Sequence, residues 1–249
     1  MLPDRIIAVR NNKTVYRDGD LCMKVFCEGY PKAAVLSEAL KQSLAEETPL
    51  CVPKIRAVTL TDGKWTIISD YIRGKTLDRL IEENPDKKDE YLGIFIDTQL
   101  TILGTPCPLL PKLRDKMDRK ILETDFDATV RYELHARLDA MPKKSQLCHG
   151  DFNLSNVIIS DDKKPYILDW AHATQGNAEA DAARTYLLFW LAGDIAGAER
   201  YLALFCAKSG AEKQDIQKWM PIVAASQTVK GNEKEREFLN SWVNVVDYE

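Results

Sequence analysis

The fold is decided by the stretch His149-Gly150-Asp151-Phe152-Asn153-Leu154-Ser155-Asn156, which is followed after an apolar run by Asp169-Trp170. Four residues separate Asp151 from Asn156, so one loop can present both side chains to the same cavity. The apolar segments 157–159 and 166–168 predict two short buried strands around an Asp161-Asp162 turn. This arrangement would return Asp169 to the mouth of the loop.

These side chains match what phosphoryl transfer requires of a protein, which is mainly positioning and charge neutralisation. Asp151 is placed to accept the proton of an attacking hydroxyl, while Asn156 and Asp169 offer the hard oxygen atoms that Mg²⁺ prefers. An isolated Asp and Asn at this spacing is common in loops, where both hydrogen-bond to the backbone. The combination with His149-Gly150, two flanking strands and a second aspartate favours phosphoryl transfer.

The pattern His-Gly-Asp-x4-Asn followed by Ile-Leu-Asp-Trp resembles the catalytic core of the aminoglycoside phosphotransferase and choline kinase superfamily, whose members are small-molecule kinases related to protein kinases. This superfamily has glycine at the position of Gly150 and tryptophan at that of Trp170, where protein kinases usually have arginine and phenylalanine. The resemblance implies an α+β, bilobal, protein-kinase-like fold. We expect an N-terminal nucleotide-binding lobe over residues 1–72, with an antiparallel sheet and one main helix. A larger, mostly helical catalytic and substrate-binding lobe would span residues 73–249 of the same catalytic unit.

A lysine for the nucleotide phosphates is expected on an N-terminal strand. Lys24 lies in the otherwise apolar run 21–26, and a charge among core-type residues needs a partner or a ligand. A solvated position on an edge strand is the alternative. The superfamily pairs such a lysine with a glutamate, and Glu38 lies in a helix predicted to begin near Pro31.

The helical pattern leaves the position of Glu38 open. Leu36, Leu40 and Leu44 form an apolar stripe, and Glu38 lies well off that stripe. Glu38 would then either pair with Lys24 or face solvent. Weaker candidates for the pair, outside the helix interior, are Glu28, Glu46 and Glu47.

Two further nucleotide contacts are expected from the N-terminal strands. Residues 6–9 and 14–16 predict a hairpin without a Gly-x-Gly-x-x-Gly motif, which small-molecule kinases often lack. The residues that would cover the phosphates are Asn11, Asn12, Lys13 and Thr14. The resemblance also implies that adenine contacts the main chain after the strand of residues 65–71, at the Ser69 carbonyl and the Tyr71 amide.

Residues 171–184 resemble the loop and helix that follow the metal ligand in this superfamily. The resemblance implies that Asp181 supports the catalytic loop by hydrogen bonds, in a role directed toward His149. An ordinary acidic residue in the first turn of a helix is the alternative. We interpret His149 as structural, because a histidine at a strand-to-loop junction commonly fixes the backbone.

The composition limits the classes of protein to which this chain can belong. The 249 residues, 45% of them hydrophobic, can bury a sizeable core, and segments 87–101 and 113–140 have helical periodicity. A net charge of −4 gives no sign of nucleic-acid binding. The six cysteines lack Cys-x-x-Cys spacing and lie in apolar runs, as reduced core residues of a cytoplasmic protein would. The apolar stretch 186–206 includes charged residues and predicts packed helices, so no membrane association is expected.

We therefore expect an ATP- or GTP-dependent enzyme that uses Mg²⁺ and phosphorylates a hydroxyl of a small molecule, with no obligate protein partner. The acceptor could be an aminoglycoside-like antibiotic, an amino-alcohol or a sugar. Acidic side chains would suit a polycation, and aromatic rings would suit a quaternary ammonium. The acidic candidates are Glu233, Glu235, Glu237, Asp247 and Glu249, and the aromatic ones are Trp190, Trp219, Trp242 and Tyr248.

Two alternatives remain open. A protein kinase acting on Ser or Thr is disfavoured, because residues 171–181 are too short for an activation segment and carry no Ala-Pro-Glu marker. A non-catalytic nucleotide-binding pseudokinase would usually lack one catalytic side chain. All four are present here: Lys24, Asp151, Asn156 and Asp169.

Overall fold

The computed structural model describes residues 5–243, so Asp247, Tyr248 and Glu249 lie outside the described residues. The chain forms two compact units. The first contains the residues up to Tyr91 and the segment Leu154–His172, and the second contains Leu92–Asn153 and the residues from Ala173 onward. These units divide the chain differently from the predicted lobes, 1–72 and 73–249, because the segment Leu154–His172 belongs with the N-terminal residues. The boundary at residue 72 stays a prediction.

Residues 5–243 form ten strands and ten α-helices. The strands are β1 (Arg5–Val9), β2 (Lys13–Asp18), β3 (Leu21–Phe26), β4 (Ile55–Thr61), β5 (Lys64–Asp70), β6 (Gly74–Thr76), β7 (Gln146–Cys148), β8 (Val157–Ser160), β9 (Pro165–Ile167) and β10 (Thr174–Gly176). The helices are α1 (Lys32–Glu46), α2 (Leu77–Glu83), α3 (Lys88–Leu103), α4 (Leu113–Leu122), α5 (Ala128–Ala140), α6 (Ala178–Leu191), α7 (Ile195–Ser209), α8 (Lys213–Gln217), α9 (Met220–Thr228) and α10 (Glu233–Val243).

The first unit is built on an antiparallel sheet with the strand order β1-β2-β3-β5-β4. The β1–β2 turn is closed by a 2.9 Å hydrogen bond from the Arg10 amide to the Lys13 carbonyl. Lys13 and Thr14 are therefore the first residues of β2, whereas the sequence had placed Lys13 in the turn. The covering loop is shorter than predicted, because strand pairing extends one residue further back.

Helix α1 packs against this sheet by a face that the sequence pattern did not predict. Its buried residues are Val35, Glu38, Ala39, Gln42 and Ala45. Leu36 and Leu40, two members of the predicted apolar stripe, are 43% and 60% exposed. Small side chains allow close approach to the sheet, and the buried amide of Gln42 donates to the Pro53 carbonyl at 2.8 Å. Glu38 consequently points inward.

The returning segment of the first unit forms the hairpin predicted around Asp161-Asp162. Strand β8 pairs with β9 on one side and with β6 on the other. At Gly74 the backbone φ is 150°, and a Cβ there would lie 2.2 Å from the Ile159 carbonyl oxygen. Only glycine permits this approach of β6 to β8.

The second unit is mostly helical, with a two-stranded sheet of β7 and β10. Segment 113–140, predicted as one helical stretch, is divided into α4 and α5, because Asp127 caps a new helix by accepting from the Val130 amide at 2.9 Å. The predicted packed pair of helices over residues 186–206 is confirmed as α6 and α7. Among residues 5–243, no helix has both the length and the apolar character needed to cross a membrane.

All six cysteines lie within residues 5–243 and none of them forms a disulfide, but their burial differs from the prediction. Cys107 and Cys148 are buried, whereas Cys27, just after β3, is exposed. The expectation of a core position is therefore wrong for Cys27, since the chain turns outward there at Gly29, where φ is 74°. Burial raises the pKa of the Cys148 thiol well above its usual value, and the charge of Asp181 adds to this effect. Cys148 is consequently a packing residue.

Candidate active site

The first unit contains a cluster of two lysines and two carboxylates. Lys24, on β3, lies with its Nζ 2.9 Å from Glu38 Oε1, which confirms that the two residues form an ion pair. The same ammonium lies 3.3 Å from Asp169 Oδ1. The lysine on the strand, the glutamate on α1 and the aspartate after β9 thus meet at one point.

Lys13 is the second lysine of this cluster. Its Nζ lies 3.1 Å from Glu38 Oε1 and 3.5 Å from Asp169 Oδ2. The sequence placed Lys13 in a loop above the phosphates, and its ion pairs with Glu38 and Asp169 were missed. The alternation of side chains along β2 could have predicted that Lys13 lies near Lys24. Lys13 and Val15 share one face of the strand, and Val15 pairs with Lys24.

The charge state of Lys24 follows from its surroundings. Burial by itself would lower the pKa of this lysine, but the negative charges of Asp169 and Glu38 outweigh burial and raise the pKa above its usual value. A raised lysine pKa stabilises the fold at all pH values below the unfolded-state pKa, and that stabilisation is lost only as the pH rises through the folded-state value. Lys24 is therefore a permanent cation at neutral pH.

We expect Glu38→Gln to destabilise the first unit, because the ammonium groups of Lys13 and Lys24 would then have Asp169 as their one anionic partner among residues 5–243. The expected loss is about 2–4 kcal/mol in the free energy of unfolding, measured by urea denaturation. Glu47→Gln, at an exposed position just after α1, is the matched control and should change stability by less than about 0.5 kcal/mol. Equal effects of the two substitutions would contradict a structural role for the ion pairs.

Asp169 has an unusual backbone conformation. Its φ is 59°, in the left-handed region that non-glycine residues rarely adopt. The Leu168 amide donates to the Asn156 carbonyl at 2.8 Å, which fixes the chain just before Asp169 beside Asn156. The buried indole of Trp170 donates to the Ile167 carbonyl at 3.0 Å. Contacts on both sides of Asp169 therefore impose a conformation of the kind found at functional sites.

Asp169 and Asn156 carry oxygen donors of the type that a magnesium ion shared with phosphates would require. Mg²⁺ is usually held in such sites by one or two carboxylates, with water and phosphate oxygens as the remaining ligands. Among residues 5–243, no group of three or more His, Cys, Asp or Glu side chains is arranged to hold a metal. In the first unit, Asp169 would offer a carboxylate oxygen and Asn156 an amide oxygen, and a nucleotide would complete the ligand set.

These residues line a cleft of about 750 Å³ in the first unit. The predicted residues that contribute to its wall are Lys13, Lys24, Ser69, Tyr71, Asn156 and Asp169. Asn11, Asn12, Thr14 and Glu38 are not among its lining residues. The Tyr71 amide donates to the Asp20 carbonyl at 2.9 Å, so an adenine would have to share or displace that hydrogen bond.

The second unit contains the loop with Asp151. His149 is fully buried after β7, and its Nδ1 accepts a hydrogen bond from the Asp151 amide at 3.3 Å. Phe152 stacks on Phe95 of α3 with ring centroids 4.3 Å apart. The histidine therefore fixes the backbone, in agreement with the structural role expected for it, and Phe152 anchors the loop in the core.

Gly150 and Asp181 hold this loop in place. Gly150 has a φ of 77°, which its lack of a side chain allows, and its amide donates to Asp181 Oδ1 at 2.7 Å. Asp181 Oδ2 accepts from Gln99 Nε2 at 3.1 Å. Asp181 therefore contacts this loop at the Gly150 amide, whereas the sequence had directed its support toward His149.

A buried polar network under the loop was missed by sequence reasoning. The Thr185 hydroxyl donates to the Phe152 carbonyl at 3.0 Å, and the Tyr201 hydroxyl donates to Gln99 Oε1 at 2.6 Å. Burial raises the pKa of Tyr201, and the charge of Asp181 contributes to this shift. Gln99 lies on α3, 86 positions from Thr185 on α6, so no local sequence pattern predicts this network.

A cationic side chain contacts the expected catalytic base. Arg184, on α6, donates from Nη2 to Asp151 Oδ1 at 3.1 Å. Lys230 lies in the same environment: burial lowers its pKa and the positive charge of Arg184 lowers it further, while Asp151 acts in the opposite direction. In the second unit, Arg184 therefore contacts Asp151 directly, while the effect of Asp151 on Lys230 is one of charge.

The described aromatic candidates for the acceptor pack mainly with other rings. Trp190 stacks on Phe238, with centroids 5.6 Å apart, and Trp242 stacks on Tyr186 at 5.8 Å. Trp219 is buried. This packing joins α10 to α6 and favours a core role for these rings over an open cage.

Comparison with known proteins identifies relatives of the whole chain. A model of the phosphotransferase enzyme family matches residues 8–221. A thermostable mutant of aminoglycoside phosphotransferase APH(4)-Ia is similar, with a TM-score of 0.70, 15% identity and coverage of 96% of this chain and 91% of that one. A choline/ethanolamine kinase family protein from Mesorhizobium loti has a TM-score of 0.62, 15% identity and coverage of 100% and 83%. Choline kinase LicA from Streptococcus pneumoniae has a TM-score of 0.62, 13% identity and coverage of 95% and 86%.

At such identities the structural likeness shows a shared fold, and it confirms the predicted fold class with an N-terminal antiparallel sheet and a mostly helical C-terminal part. A thermostable mutant of APH(4)-Ia has also been solved in a ternary complex with AMP-PNP and hygromycin B. A comparison with curated protein sequences gave no significant match. Because the family match spans most of its length, the chain belongs to the phosphotransferase enzyme family.

Proposed function

We propose that this protein transfers the γ-phosphate of ATP to a hydroxyl group of a small molecule in a Mg²⁺-dependent reaction. The observation that carries the proposal is the cluster of Lys24, Glu38 and Asp169, of which Lys24 and Asp169 line a cleft of about 750 Å³. Strained backbone at Asp169 and two lysines facing the same carboxylates are costly features for a merely structural site. Membership of the phosphotransferase family supports the same reaction.

In this proposal the side chains have separate roles. Lys24 and Lys13 bind phosphate oxygens, and Glu38 holds both ammonium groups in position. Asp169 and Asn156 would hold Mg²⁺, which supplies charge neutralisation at the phosphates when bound. Main-chain groups at Ser69 and Tyr71 would contact the purine, which leaves GTP as an alternative donor.

Asp151 acts as the base. It accepts the proton of the acceptor hydroxyl as the new bond from oxygen to the γ-phosphorus forms and the bond to the β-phosphate oxygen breaks, so that ADP leaves. His149 and Asp181 fix the loop that presents this carboxylate. The loop continues within five residues to Asn156, so the base and the proposed metal ligand belong to one short stretch of chain.

The acceptor class is proposed more broadly, as an aminoglycoside-like antibiotic, an amino-alcohol or a sugar. Hygromycin B in the related APH(4)-Ia complex and the choline kinases among the similar structures support a small hydroxylated molecule. A Ser/Thr protein kinase is disfavoured, because only a short turn and β10 separate Trp170 from α6. The free cysteines agree with a cytoplasmic location, which we retain as part of the proposal.

The test is a screen for nucleotide consumption with MgATP and MgGTP against aminoglycosides, amino-alcohols, sugars and nucleosides, with a generic Ser/Thr peptide as a separate arm. We expect at least one small molecule to gain a phosphate, detected by mass spectrometry. Phosphorylation of the peptide alone would establish the protein-kinase alternative. Tight binding of MgATP without transfer to any acceptor or to water would establish the pseudokinase alternative.

A further inference from the structure

Arg184, on α6, connects the loop that contains Asp151 with helix α9. This arginine is 9% exposed, and most of the other buried residues of its helix are apolar. Its Nη2 donates to Asp151 Oδ1 at 3.1 Å and its Nη1 donates to Gln227 Oε1 at 2.8 Å. The two ends of one planar guanidinium are thus held by a carboxylate in the loop and an amide on α9.

The support extends one step further, to α10. Gln227 is 6% exposed, and its Nε2 donates to Glu235 Oε2 at 2.7 Å. Glu235 also accepts from the Asn232 side-chain amide at its other oxygen. Because Nε2 of Gln227 is engaged by Glu235, Oε1 of the same amide faces Arg184, and the orientation of the arginine is fixed from behind.

These contacts fix the direction in which Arg184 presents its guanidinium to Asp151. A rigid guanidinium that is held at one end orients whatever it binds at the other, more strongly than a flexible ammonium could. A buried arginine also requires a charge partner, and Asp151 is the carboxylate that it contacts. The arrangement restricts rotation of the Asp151 side chain in the second unit.

We infer that Arg184 is a positioning residue for the catalytic base, held in place by Gln227 and Glu235. The inference rests on the proposed function, since it requires Asp151 to be the base. Glu235, which the sequence offered as an acidic contact for a cationic acceptor, supports the arginine instead. Misplacement of a reacting group by about 1 Å is enough to slow a reaction about a hundredfold.

The experiment is a double-mutant cycle of Arg184→Ala with Asp151→Asn in the full chain. It measures kcat and the KM for MgATP with the acceptor from the screen, or with water as acceptor in ATP hydrolysis. We expect Arg184→Ala to lower kcat by about a hundredfold, with little change in the KM for MgATP. In the Asp151→Asn background the same substitution should have almost no further effect, because its target is already removed.

Two further variants separate positioning from loss of the fold. Arg184→Lys keeps a cation near Asp151 but cannot grip both partners, so its kcat should lie between those of the wild type and Arg184→Ala. Gln227→Leu keeps Arg184 and removes its rear support, and should give a smaller fall in kcat. Guanidinium ion added to Arg184→Ala should restore part of the lost rate. Arg236→Ala, on the exposed side of α10, is the matched control and should behave as the wild type.

The outcomes are distinct. An equal loss from Arg184→Ala with and without Asp151→Asn would overturn the inference, because the arginine would then act independently of the base. So would an unchanged kcat in both folded Arg184→Ala and folded Gln227→Leu. If Arg184→Ala does not fold, the decision rests on Gln227→Leu and Arg184→Lys. A wild-type protein that transfers phosphate to no acceptor would refute the proposed function itself, a result separate from any ratio between variants.

Discussion

Asp151→Asn should lower kcat by about a thousandfold or more, because a positioned base and its negative charge contribute several kcal/mol to transition-state stabilisation. The substitution changes one atom of the side chain. An asparagine oxygen can still accept from Arg184, so the variant should fold, with a lower melting temperature because the buried guanidinium loses the charge of its partner. The rate is measured in the same nucleotide-consumption assay that identifies the acceptor, and nucleotide affinity is measured by thermal shift.

Asp139→Asn is the matched control, because Asp139 also pairs with an arginine, Arg114, but lies at the surface. Its kcat should equal that of the wild type. Turnover of Asp151→Asn within a few-fold of the wild type would remove Asp151 from its proposed role. A variant with lost turnover and lost nucleotide binding would instead indicate damage to the loop.

Asp169→Ala should abolish the Mg²⁺-dependent stabilisation by nucleotide. A ligand at a hundred times its Kd stabilises a folded protein by about 2.7 kcal/mol, which is visible as a rise in melting temperature. We expect this rise with ATP and Mg²⁺ in the wild type, and its absence in the variant. The reason is that Asp169 is the only carboxylate proposed to hold the ion.

Alanine at position 169 would also be strained, because φ there is 59°. Asp169→Asn serves as the second variant, since asparagine tolerates the left-handed region but lacks the charge. Loss of the nucleotide-induced rise in both variants would assign the effect to charge. Asp161→Ala, in the exposed turn between β8 and β9, should keep the full rise. A persistent rise in Asp169→Asn and Asp169→Ala would place the metal elsewhere.

The parts of the fold that could be predicted from the sequence are those that depend on short-range patterns along the chain. Strands β8 and β9, the turn between them and the position of Asp169 follow from apolar runs separated by turn residues. The lysine on β3 stood out because a charge in an apolar run is unusual. Both signals depend on neighbours within a few residues.

The sequence did not predict features that depend on how helices and strands pack against each other. The leucines of α1 were the obvious inward face, yet the helix buries small residues and Glu38, because the sheet offers Glu38 two ammonium groups. Periodicity reports which residues share a face, but which face turns inward depends on the partner surface. The Arg184–Gln227 contact joins residues 43 positions apart, which no local pattern encodes.

The two lysines and two carboxylates of the first unit have a consequence for how a nucleotide binds. Before a ligand arrives, Lys13 and Lys24 already have Glu38 and Asp169 as counterions. Under the proposed function, phosphates that take over the lysines release Asp169, whose charge then needs a new neighbour. Nucleotide binding would therefore exchange the counterions of the two lysines, while the side chains keep their places. A nucleotide without its divalent cation would leave the negative charge of Asp169 repelling the phosphates. The protein would thus select the metal-bound form of its nucleotide with side chains that also maintain its fold.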